Sequence, residues 1–306
     1  MTTSDRFYHV MKHAKLVLAE AAVCERLRRM EGITLHPRLF ITPLIYEKRG
    51  ALAMQEIYGR YRTIALNAGI PILLCAPTWR VDRDRIAKAK VSSNINHDAV
   101  NFMLQLRDQW DRAAKPVLVG GLVGPKNDCY RPQEGLTEKD AYKFHKWQVD
   151  QLAQTGLDVL LAQTMPAIPE ATGLARAMAD TGHPYIISFV INRHGEVFDG
   201  TPLAQAISTM DDTLERPPYG YMVNCAYPSF ICAHKQPTSL FKRLLGIQAN
   251  SSSKDQLDLD GSAQTLSDSI EDWADQMLAL HRKYNMKILG GCCGTDDRYL
   301  EKIAYA

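Results

Sequence analysis

The sequence of 306 residues carries no excess charge of one sign: 36 Lys plus Arg stand against 34 Asp plus Glu, a formal +2. That balance argues against nucleic acid or an anionic membrane as the main partner. No apolar run approaches the ~20 residues that a membrane-spanning helix needs, and the longest covers only residues 70–77. Residues 1–15 contain Asp5, Arg6, His9, Lys12 and His13 and no apolar core of signal-peptide length. Cysteine is scarce. Seven residues, irregularly spaced, cannot form the framework of a small secreted protein. No dinucleotide-binding glycine pattern, phosphate-binding loop or serine-hydrolase elbow is present. Of the nine histidines none makes a His-x-x-x-His metal pair with a nearby acid, and His9 and His13 read as surface residues of a charged helix. No internal repeat of 20 to 50 residues is found. The chain is therefore expected in a reducing cytoplasm, where paired cysteines point to metal or catalysis before disulfides.

What is present is a recurring pattern. Short apolar runs at residues 15–19, 70–76, 116–119, 158–162, 185–191, 221–223, 244–248 and 287–289 are mostly continuous rather than alternating. Such runs fit parallel strands buried on both faces. Helical patterns lie between them, the clearest at 137–155, where Thr137 and Asp140 form a start resembling a capping box and Gly156 marks the stop. Further helices are expected at 169–181 and 266–284. Eight strands alternating with helices over this length predict an α/β fold, a single (β/α)8 TIM barrel forming one domain over residues 1–306. A doubly wound open sheet is the alternative. The Ser-, Asp- and Gln-rich stretch 250–269 follows the seventh strand and reads as a long loop on the face where barrel enzymes place their chemistry. The basic cluster Arg80, Arg83, Arg85, Lys88 and Lys90 reads as a solvated helix face.

The strongest chemical signal lies at the eighth strand, Gly290-Gly291-Cys292-Cys293-Gly294-Thr295. Adjacent cysteines rarely pair with each other, because the disulfide geometry is poor. The glycines remove side chains and permit unusual backbone angles, so both sulfurs can turn toward one point. Cys225 follows the sixth strand, and in a barrel the C-terminal ends of strands six and eight open onto the same mouth. Three thiolates would favour zinc, with the fourth position open as in catalytic sites. Cys24, Cys75, Cys129 and Cys232 read as small buried hydrophobes.

These residues resemble the zinc-dependent homocysteine S-methyltransferases, a family with S-methylmethionine, betaine and cobalamin-linked members. The resemblance rests on GGCCGT at 290–295 and VNC at 223–225. It is supported by Gly121-Leu122-Val123-Gly124-Pro125, by Phe144-His145 through the Gly156-Leu157-Asp158-Val159 segment, and by Asp199-Gly200-Thr201-Pro202-Leu203. It implies a (β/α)8 barrel in which Cys225, Cys292 and Cys293 hold Zn2+. The implied substrates are a small-molecule thiol acceptor and an onium methyl donor. The chain ends eleven residues after Thr295, so no cobalamin or folate domain is expected, which favours S-methylmethionine, another sulfonium or betaine as donor.

The family's acidic residue at the end of strand one corresponds to Glu20, without the glycine that usually follows. Its glutamate at the end of strand four corresponds to the neutral Gln163. Thr78 matches a family threonine after strand two, and Asn250 an asparagine after strand seven, where Ser252 replaces a glycine. Glu20, Thr78, Trp79, Gln163 and Asn250 are the expected substrate-binding residues. Trp79 would offer an aromatic face to the onium, with Phe40 and Tyr227 as further aromatics of the pocket. His145 is expected to be structural. The loss of one carboxylate leaves three readings open: homocysteine as acceptor, another thiol, or a zinc- and thiol-binding relative without transfer activity.

Overall fold

The computed structural model describes residues 3–110, 116–259 and 266–306. Eight parallel strands close into a barrel in sequence order: β1 (Val17–Ala19), β2 (Ile72–Ala76), β3 (Val117–Val123), β4 (Val159–Met165), β5 (Tyr185–Phe189), β6 (Gly220–Ala226), β7 (Leu244–Ala249) and β8 (Ile288–Gly291). β8 pairs with β1 through Val17–Ile288 and Leu18–Leu289, so no sheet edge remains.

The continuous hydrophobicity of the strands has a direct cause. Val17, Ala19, Leu73, Leu118, Val159, Leu161, Ile186, Met222 and Ile288 point into the barrel and pack on one another. Their neighbours Leu18, Leu74, Val119, Leu160 and Ile187 face outward against the surrounding helices. Both faces are buried, so alternation of apolar and polar residues is absent. The helix Thr3–His13 closes the N-terminal end of the barrel, with Phe7, Val10 and Met11 packed on the interior residues.

The expected helices are found with shifted ends. The helix Glu138–Ala153 is capped by Thr137, whose hydroxyl accepts from the Asp140 backbone N–H, but Gln154 rather than Gly156 caps its C-terminus. The helix Ile270–Tyr284 begins four residues later than expected, because Ser269 caps it by accepting from the Asp272 N–H. Arg83, Arg85 and Lys88 lie on the helix Arg83–Ala89 as expected, whereas Arg80 precedes it and is half-buried. Among the described residues, no helix is long and apolar enough to cross a membrane.

Candidate metal centre

At the C-terminal ends of the strands the inward positions turn from apolar to polar. Val159 and Leu161 are followed by Gln163, Ile186 by Ser188, Met222 by Asn224, and Gly246 by Gln248. Gln163 Nε2 donates to Gln248 Oε1 at 2.8 Å, and Gln248 Nε2 to the Glu20 carbonyl at 3.3 Å. Because β4 and β7 are not neighbours, these bonds cross the barrel mouth.

Two strands break their register here. β4 shifts against β5 between Ala162 and Met165, and β6 against β7 between Asn224 and Ala226. Thr164 (φ 66°) and Cys225 (φ 52°) occupy the left-handed region at these bulges. A non-glycine residue there is strained and persists only when its surroundings hold it. Asn224 supplies much of that hold. Its Oδ1 accepts from Thr164 N (2.8 Å) and Ser188 Oγ (2.7 Å), and its Nδ2 donates to Thr164 Oγ1 at 2.7 Å and toward Cys225 Sγ at 3.3 Å. Gln256 Nε2 fixes the Cys225 carbonyl at 2.7 Å and that of Ile191 at 2.9 Å. The bulge re-aims the Cys225 side chain toward β8.

The vicinal cysteines are set by backbone bonds: Cys292 N–H to the Ala249 carbonyl (2.7 Å) and Cys293 N–H to Asn250 Oδ1 (3.2 Å). Thr295 Oγ1 donates to the Cys292 carbonyl at 2.6 Å. The flanking glycines serve close approach more than unusual angles. A Cβ on Gly290 would meet the Ala19 carbonyl at 2.7 Å and one on Gly291 the Thr295 hydroxyl at 2.1 Å, while only Gly294, at φ 78°, is left-handed.

The Sγ atoms of Cys225, Cys292 and Cys293 lie within 4.8 Å of one another, with Cys225 and Cys292 2.7 Å apart. Around a tetrahedral ion with bonds of about 2.3 Å, sulfurs stand roughly 3.8 Å apart, so the cluster fits a soft cation with small adjustments. Cys225 is buried, Cys292 partly buried and Cys293 exposed, which leaves the cluster open on one side. Hydrogen bonds from the Cys225 and Cys292 thiols hold the Cys293 thiol well below its ordinary pKa, and the contact with Cys292 pushes Cys225 well above. The three sulfurs thus share too much negative charge to ionise together unaided, which a cation would relieve. Among the described residues every cysteine is free. Cys24 and Cys129 stand outside the cluster with thiols pushed up to about 11 and about 12, mainly by burial.

The other expected site residues are distributed unevenly. Glu20 is 8% exposed, and its Oε2 accepts from the Cys75 N–H at 2.7 Å. Burial raises its pKa to about 8, so it is mostly protonated at neutral pH. Thr78 is fully buried, its hydroxyl bonding both the carbonyl (2.8 Å) and the N–H (3.0 Å) of Leu122. Trp79 Nε1 donates to the Gln163 carbonyl at 3.0 Å, and its ring face carries the guanidinium of Arg80, 4.5 Å from the centroid. Asn250 holds the Cys293 backbone. His145 is buried on Glu170 at 3.0 Å, which also accepts from the N–H groups of Lys126 and Leu136, a structural role as expected. The residues that sequence reasoning missed are Asn224, Gln248 and Gln256. The first two continue the inward parity of their strands, and that parity was the available signal.

A family profile described as homocysteine S-methyltransferase matches residues 25–306. The homocysteine S-methyltransferase YbgG of Bacillus subtilis (strain 168) is 23% identical over 317 residues, covering 97% of this chain and 96% of that protein. The metallated form of the homocysteine methyltransferase MmuM from Escherichia coli superposes with a TM-score of 0.74 at 17% identity, covering 97% of this chain and 98% of the other. Its apo form gives 0.62 over the same shares, also at 17% identity. At that identity the likeness to the solved structures establishes the fold.

Proposed function

The chain belongs to the homocysteine S-methyltransferase family, and on that premise we propose that it moves a methyl group from an onium donor to the sulfur of homocysteine, using zinc held by Cys225, Cys292 and Cys293. The observation that carries this reading is the convergence of three sulfurs within 4.8 Å at the barrel mouth. Zinc bound there would supply a Lewis acid that keeps an acceptor thiol deprotonated at neutral pH. The transfer itself is an in-line displacement. The acceptor sulfur forms a bond to the methyl carbon, and the bond from carbon to the onium centre breaks with its electron pair left on the donor, which departs one positive charge lower.

The chain's own residues contribute placement. Asn224 and Gln256 hold the strained Cys225 backbone, while Asn250 and Thr295 hold Cys293 and Cys292. Glu20 and Gln163 form the acceptor side, with the Gln163–Gln248 bridge and the Glu20 carboxyl meeting the acceptor's amino group. Thr78 and Trp79 act as walls that lock β2 to β3 and β4. Alignment and exclusion of water are the protein's share of the rate.

One observation favours a second reading, the same chemistry on a thiol without an amino group. The Gln163 amide is already paired with Gln248, and Glu20 is mostly uncharged at neutral pH, so little negative charge faces an ammonium. The deciding experiment is calorimetric titration of homocysteine into the zinc-loaded protein in two buffers of different ionisation enthalpy. Proton release on binding, followed by methionine formation with a sulfonium or betaine donor, is the expected result. Full zinc occupancy without homocysteine binding would overturn homocysteine as acceptor and direct the same titration to thiols lacking an amine.

A further inference from the structure

The bridge between Gln163 and Gln248 has a direction, and the main chain sets it. The Glu20 carbonyl oxygen can only accept, and it takes the Gly291 N–H at 3.0 Å and Gln248 Nε2 at 3.3 Å. Gln248 therefore turns its NH2 group toward Glu20 and its Oε1 the other way. That oxygen also can only accept. Gln163 meets it with Nε2, at 2.8 Å. Gln163 Oε1 is thereby left on the outer side of the amide. Gln163 is half-buried, and among the described residues no group donates to its Oε1, which is not enclosed by protein. Turning both amides over would set Gln248 Oε1 against the Glu20 carbonyl, two acceptors with no proton between them.

The backbone of Gln163 is fixed as well. Its carbonyl accepts from Trp79 Nε1 at 3.0 Å, and the next residue, Thr164, is tied to Asn224 through both its N–H and its hydroxyl. The rotation of the side-chain amide is the freedom that Gln248 removes. The relay is anchored on the stretches of chain that carry the sulfurs. Gln248 pairs with Gly290 in the register of β7 and β8. The carbonyl of the following Ala249 accepts from the Cys292 N–H at 2.7 Å, and the Glu20 carbonyl holds Gly291, the residue before Cys292. From there the bridge crosses the mouth to β4. A freely turning amide would present oxygen or NH2 alike and so discriminate little. An amide whose oxygen is held outward selects a partner that donates.

We propose that Gln248 is a positioning residue that makes the acceptor subsite selective for a thiol bearing an amino group, by holding the Gln163 amide oxygen outward to accept from it. This rests on the methyl-transfer reading above and assigns to Gln248 the choice between the two acceptors weighed there. The test uses the zinc-loaded full chain and a matched pair of thiols, homocysteine and its amine-free counterpart 4-mercaptobutanoate. Binding of each is measured by calorimetry, and methyl transfer to each with S-methylmethionine and with betaine. The wild type should bind homocysteine roughly 10- to 100-fold more tightly. Gln248→Met should cut that preference about five- to tenfold, and Gln163→Met by a similar factor. Because Gln248 acts through Gln163, the double variant should lose no more than either single one. A residue that served only packing would weaken both thiols alike and leave the preference in place. Gln248→Glu still accepts from Gln163 Nε2 and should retain the preference, which guards against a folding defect in the methionine variant. Zinc content is measured for each. Equal affinities in the wild type, an unchanged preference in Gln248→Met, additive losses in the double variant, or loss of the preference in zinc-loaded Gln248→Glu would each overturn the relay. Methyl transfer to both thiols with equal affinity would leave the methyl-transfer reading standing without it. A preference for homocysteine that Gln248→Met cuts, without transfer from either donor, would do the reverse.

Discussion

The two ends of the barrel are built from the same eight strands and follow opposite rules. At the N-terminal end the interior is sealed by Phe7, Val10 and Met11. Its buried charge is matched: Asp158 bonds Arg6 at 2.7 Å, Arg107 at 2.8 Å and the Val119 N–H at 2.8 Å. At the C-terminal mouth, inward residues are polar, two strands bulge into left-handed backbone, three sulfurs crowd together and, among the described residues, the buried Arg80 Nε has no hydrogen-bond partner. The N-terminal end pairs its buried Asp158 carboxylate within the chain. The mouth gathers polar groups and sulfurs poised for something from outside, as expected where stability and function are separated along a barrel axis.

The sharpest way to break this comparison is at the sulfurs. Cys225→Ala, Cys292→Ala and Cys293→Ala should each lower bound zinc and reduce methyl transfer by about 1000-fold or more, because a two-thiolate site holds the ion poorly. Metal analysis and turnover together check this. A variant with full zinc and normal turnover would remove its residue from the site.

Charge removal should act oppositely at the two ends. Glu20 has a folded pKa of about 8 against an ordinary 4.5. The folded state therefore keeps a proton that the unfolded state releases between those values. Its contribution to stability is full below pH 4.5 and falls as pH rises toward 8. Glu20→Gln should be near neutral at pH 5 and stabilising at pH 9 by on the order of 3–5 kcal/mol, read from denaturant unfolding at both pH values. A difference that does not change with pH would reject the buried, protonated carboxyl. Asp158→Ala at the closed end should instead destabilise by about 3 kcal/mol, leaving two guanidiniums unpaired, while zinc per folded molecule stays constant. Loss of zinc in that variant would show that the two ends are coupled.

The smallest effect probes the acceptor side. Gln163→Glu places a charge beside the Gln248 amide and should tighten homocysteine binding about tenfold, measured by titration into the zinc-loaded protein. Unchanged or weaker affinity would remove Gln163 from contact with the acceptor's amino group.

Much of this was legible in the order of residues. Continuous apolar runs announced strands buried on both faces, and their alternation with helical patterns announced the barrel. The glycine-flanked Cys292-Cys293 pair marked the centre through its unusual local setting, and Cys225 through its place after the sixth strand together with the family resemblance of VNC. The bulges at Thr164 and Cys225 left no such mark, since neither residue favours φ above zero and their conformation is imposed by Asn224 and Gln256 from other strands and loops. The 250–269 stretch read as a loop of low complexity, yet Asn250, Ser251, Ser252 and Gln256 are buried and brace the centre. Residues 260–265 of that stretch lie outside those described.

The sequence by itself determined the strand count, the class of fold and the Cys292-Cys293 pair, because periodicity and local glycine chemistry are properties of neighbours along the chain, whereas Cys225 was picked out by its place after the sixth strand and the family resemblance of its VNC segment. Only the tertiary structure decided that Gln163 meets Gln248, that Glu20 keeps its proton, and that Arg80 covers Trp79 with a donor unmet. These depend on which groups from distant strands share one desolvated mouth. Hydrogen bonding and charge are set by that shared environment, and sequence spacing does not encode it.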